Sequence, residues 1–154
     1  MQSALKLTDV GLDDSLALLA SIRTCHERLA VEIDNMESLT QEAKLDMLRL
    51  SSVRWRLSQA SLARRTLSSR ICDQVRPLLA ATDLANIKQL QEADRALARE
   101  SANHVGRWSA GSIEERWADY CEASREMRRK MAIHLELEEK LLFPILARLA
   151  QHRR

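Results

Sequence analysis

Only three glycines and two prolines punctuate the 154 residues. This scarcity limits the accessible folds more than any motif does. A β-sandwich or a doubly wound α/β domain turns a corner every few residues and places glycine or proline at many of those corners. The same scarcity removes the glycine-rich loops that cradle phosphates in nucleotide-binding folds. The chain is instead rich in Leu, Ala, Arg, Glu and Gln, and carries a single Phe and a single Tyr. Such side chains lose little freedom in a helix. The expected class is all-α.

At this length the chain is read as one domain spanning 1–154, large enough to bury a core. The formal charge of +2 comes from 24 basic and 22 acidic groups. Arginines alternate with Glu and Asp as on solvated helix faces, so neither a basic stripe nor a recognition-helix motif points to nucleic acid. Cys25, Cys72 and Cys121 lie far apart without CxxC spacing, which fits reduced thiols. No apolar stretch approaches about 18 residues, and no basic start precedes an apolar run. A cytoplasmic protein without a membrane role is expected.

Apolar periodicity divides the chain into four long helices. Residues 1–12 read as a lead-in, and helix one runs from Asp14 to Leu39. Its inner stripe is Leu19, Ile22, His26, Leu29, Ile33 and Met36, at alternating spacings of three and four. Thr40 with Gln41 and Glu42 resembles a cap and an acidic first turn, so 41–48 either begin helix two or form a short turn. Helix two runs from Leu50 to Leu79, with Val53, Leu57, Ala60, Leu67, Ile71 and Leu78 inward and Pro77 near its end. Thr82 and Asp83 cap helix three, which continues to Trp108. Gly111 then breaks the chain, and Ser112 with Glu115 forms a capping box for helix four, Ile113 to Ala150, interrupted near Pro144. Short joints between such helices predict an up-down-up-down four-helix bundle.

Polar residues inside these stripes require an explanation, because unpaired burial is costly. His134 and Glu138 are one turn apart on one face of helix four, and His26 occupies a core position of helix one. Imidazole and carboxylate at this spacing can reach one metal ion. They can equally satisfy each other by a His26–Glu138 or His134–Glu138 hydrogen bond. No Ser, Thr or Cys has the surroundings of a nucleophile, so no enzyme is expected. Trp55, between Arg54 and Arg56, marks a partly exposed face that suits self-association or a protein partner as well as ordinary packing.

The string MAIHLELEEKLLFPIL, Met131 to Leu146, resembles the last helix of the hemerythrin-like cation-binding domains. In that pattern a histidine is followed by acidic residues four and five places on, then by leucine, phenylalanine and proline. Here those are His134, Glu138, Glu139, Leu142, Phe143 and Pro144. His26 sits where the family places a ligand in its first helix. The resemblance implies a four-helix bundle holding a di-iron centre. The second helix departs from the pattern, because matching Pro77 to Pro144 puts Leu67 and Ile71 in the ligand places. Cys72 and Asp73 lie at the same height but further round the helix. In helix three, Glu92 fits but Ala93 stands where histidine belongs. His104 falls about 24 Å along the helix from the level of His134, and reads as a capping or packing residue beside Trp108 and Trp117.

The metal set implied is therefore His26, His134 and Glu138, with Glu139 or Asp73 in support. That suffices for a single Fe or Zn ion but not for a di-iron centre, and a core without metal is the other reading. The expected function is a regulatory or interaction module with a degenerate metal site. The alternative is a cation-binding protein in oxygen, nitric oxide or iron handling.

Overall fold

The computed structural model describes the backbone of residues 2–152 and the side chains of 15–152. Among these residues every regular element is helical: α1 (Gln2–Thr40), α2 (Met47–Val75), a 3-10 turn (Arg76–Leu78), α3 (Ala81–Arg107), α4 (Ala110–Glu115), α5 (Trp117–Leu141) and α6 (Phe143–Gln151). The all-α class stands.

Local chemistry explains most of the boundaries. Helical backbone is already present at Gln2, ahead of the expected start at Asp14. Thr40 ends α1 instead of capping the next helix: its hydroxyl donates back to the Met36 carbonyl at 3.1 Å. The cap of α2 is Asp46, which accepts the Arg49 N–H at 3.2 Å. Pro77 ends α2 early, so Leu78 is exposed in the 3-10 turn and not inward. The N-cap of α3 is Ala80, and Asp83 lies in its first turn, where it accepts from Arg148 of α6 at 2.8 Å. The break after α3 falls at Trp108 and Ser109 instead of Gly111. Ser109 is extended, with φ −73° and ψ 166°, and accepts the Ser112 N–H, so the expected capping box at Ser112 does not form. A second break at Arg116 separates α4 from α5. Pro144 falls in the first turn of α6, where its missing N–H costs nothing.

Contacts pair opposite ends of α1 with α2, and of α3 with α5. Leu19 and Ile22 of α1 pack with Ile71, Cys72 and Val75 of α2, while Met36 and Leu39 pack with Leu50 and Val53. Between α3 and α5, Asp94 lies beside His134 and Glu100 beside Lys130. One end of the core is aliphatic, with Ile87, Leu90, Leu142, Ile145 and Leu146 joining Ile22 and Ile71. The other end is aromatic: Tyr120 meets Trp108 edge-on at 5.5 Å and stacks on Trp117 at 5.8 Å. Leu29, Ala60 and Leu135 bridge the two. Each fully buried Leu or Ile contributes about 1.5–3 kcal/mol. Helix α2 packs along α1, and α3 along α5, whereas α2 and α3 meet only slightly.

Candidate functional site

Near the middle of α1, between Ile22 and Leu29, the apolar stripe is interrupted by His26, which is buried. Its Nε2 lies 2.7 Å from Glu138 Oε1 of α5. An ionised carboxylate only accepts, so Nε2 carries the proton. Nδ1 of the same ring faces Glu139 Oε1 at 3.3 Å, although Glu139 is itself half exposed. The ring lies tilted against that of Phe143, with centroids 4.9 Å apart.

The other oxygen of Glu138 is held from α2. Arg64 Nη1 donates to Oε2 at 3.0 Å and Ser68 Oγ donates at 2.7 Å, two residues one turn apart on the same face. Arg64 also reaches α3, where Nη2 donates to Asp94 Oδ1 at 2.6 Å. Its side chain is 2% exposed and that of Glu138 is 0% exposed. His134 completes the group from α5. Its Nε2 stands 3.3 Å from Asp94 Oδ1 and 3.8 Å from Glu138 Oε2. Neither approach has hydrogen-bond alignment, and the nitrogen is buried without a partner.

Burial alone would raise the carboxyl of Glu138, but the His26 hydrogen bond, the Arg64 charge and the Ser68 hydroxyl together hold it below its ordinary 4.5. Burial pushes His134 the other way from charge, below its ordinary 6.5. The guanidinium of Arg64 adds to this against the opposing pull of Asp94 and Glu138. Cys72 borders the group on α2, and burial together with the Glu138 charge pushes its thiol up to about 12.

Of the residues expected to ligate a metal, the structure gathers His26, His134, Glu138 and, at the margin, Glu139. Asp73 is exposed and takes no part. Three members were not anticipated: Arg64, Ser68 and Asp94. Arg64 falls in the inner stripe of α2 between Ala60 and Ile71, and Asp94 lies one helical turn from the buried Leu90 of α3. The signal that singled out His26 was therefore present for both. His104 is remote from the group, with its ring stacked on Tyr120 at 5.9 Å.

These donors do not form a metal cradle. Among the described residues no three His, Cys, Asp or Glu side chains converge as ligands. Both Glu138 oxygens are engaged, and a guanidinium already sits between Glu138 and Asp94. A divalent ion placed there would face that buried cation at close range. The expected iron or zinc site is not supported by this geometry. No helix among the described residues is long and apolar enough to cross a membrane. In comparisons with known proteins, no family model, no curated protein and no solved structure matches the chain.

Proposed function

We propose that this chain is a hemerythrin-like, up-down-up-down four-helix bundle in which an arginine takes the place of the metal, and that it works as a non-enzymatic regulatory or interaction module. One observation carries this reading: the Arg64 guanidinium bridges Glu138 and Asp94 at the level of His26 and His134. A planar fork of N–H donors ties carboxylates on two helices, as a bridging ion would, without open coordination positions. Such a centre fixes the register of α2, α3 and α5 and offers no redox or Lewis-acid chemistry. The outer faces of the helices are then left to carry function, and Trp55, 64% exposed on α2, is one contact point for a protein partner or a second copy.

The test is anaerobic loading of the purified chain with Fe(II), and separately with Zn(II), followed by desalting and elemental analysis. The expected content is well below one metal per chain, with an unchanged melting temperature. One tightly held ion per chain, lost in His134→Ala, would overturn the reading and favour cation binding by His26, His134 and Glu138.

A further inference from the structure

The slight contact between α2 and α3 leaves a trough between them, floored by α1 and α5, with a volume of about 750 Å³. That is the size of a small-molecule site. Along α2 it extends from Arg54 to Arg65, about 17 Å at the helical rise. Its floor is apolar, formed by Met36, Leu57, Met127 and Met131. Its charged lining is of one sign: Arg54, Arg65, Arg99 and Arg128 border it, and among the described residues no Asp or Glu does. None of the four forms a salt bridge among the described residues, as Arg49, Arg56 and some other arginines do.

Arg128 is the most telling of the four. It is 7% exposed, its Nη1 donates to Ser124 Oγ at 2.6 Å, and among the described residues no carboxylate bonds to it. Burial pulls its guanidinium below the usual value, and Glu37 opposes this only through space. Arg64, more deeply buried in the same bundle, has two carboxylates in contact. An anion entering the trough would meet the Arg128 guanidinium without having to displace a carboxylate. Arg54 is anchored for the same task, with Nη2 on the Trp108 carbonyl at 2.9 Å and its guanidinium over the Tyr120 ring.

We propose that the α2–α3 trough is a binding site for a single-chain amphiphilic anion, with its carboxylate on Arg128 and its hydrocarbon tail along the methionine floor. Charge complementarity selects the head group, and the apolar floor selects the tail. The site is separate from the Arg64 cluster and does not depend on how that cluster is read.

Dodecanoate, titrated into the full chain below its micelle concentration and followed by calorimetry, tests this. Saturable binding of one dodecanoate per chain is expected, at least tenfold tighter than inorganic phosphate, with no saturable binding of dodecyltrimethylammonium. Arg128→Met is expected to weaken dodecanoate at least tenfold while melting no lower than the parent. Should that variant not fold, the rim double variant R65Q/R99Q decides, with an expected loss of at least fivefold. Absence of saturation, equal binding by the parent and the folded variant, or equal binding of the cationic amphiphile would overturn the proposal. So would an acidic amphipathic peptide that binds the trough and is not displaced by dodecanoate.

Discussion

Arg64 of α2 and Glu138 of α5 meet at 3.0 Å in the centre of the bundle, with almost no side-chain exposure on either. Removing one partner strands the other. Arg64→Met leaves Glu138 and Asp94 facing each other without a cation, and is expected to cost about 3–5 kcal/mol in urea unfolding. The double variant R64M/E138L is expected to recover a large part of that loss. If the two single effects simply added, the pair would not be acting as a unit.

The two core histidines are expected to behave differently. His26→Leu removes a 2.7 Å hydrogen bond to a fully buried carboxylate and is expected to cost about 1–3 kcal/mol. His134→Leu removes a nitrogen that has no hydrogen-bond partner and replaces it with an apolar side chain of similar size. Its effect is expected to stay below about 1 kcal/mol, in either direction. Denaturant midpoints for both variants, with equal m-values, check the contrast. A His134 effect larger than that of His26 would contradict this geometry.

Stability is expected to fall on acidification in two stages. His134 and His104 are both held below 6.5, in each case first by burial and then by neighbouring arginines. The unfolded chain therefore binds more protons as pH drops below 6.5, and folding weakens until the lowered native values are passed. Glu138 adds a further loss below 4.5, because the native state keeps it ionised while the unfolded chain takes up its proton. Urea midpoints should hold above pH 6.5 and decline below it towards pH 4, and a H104Q/H134Q variant should flatten the first stage.

The thiols are expected to separate by reactivity. Cys72 is 1% exposed and its thiol is raised to about 12, so almost no thiolate is present at pH 8. Cys25 and Cys121 are only partly buried. Alkylation by iodoacetamide in native buffer, mapped by mass spectrometry, should modify Cys25 and Cys121 first and reach Cys72 on unfolding. Early labelling of Cys72 would mean that the α1–α2 core opens readily.

The chain's own pattern determined the helices. Few turn residues and spacings of three and four leave only helices able to bury those faces, and the stripes place Ile22, Leu29, Met36 and Ile71 in the core, where they lie. Boundaries were less legible, since Thr40, Ser112 and Gly111 are chemically competent caps or breaks that neighbouring residues displaced. Which polar residues of the stripes meet was decided by tertiary structure alone. Sequence spacing fixes the height of a side chain within its own helix, but the offset and rotation between helices come from packing. Those offsets bring Arg64 and Ser68, not Asp73, against Glu138, and leave Arg128 in the trough without a carboxylate.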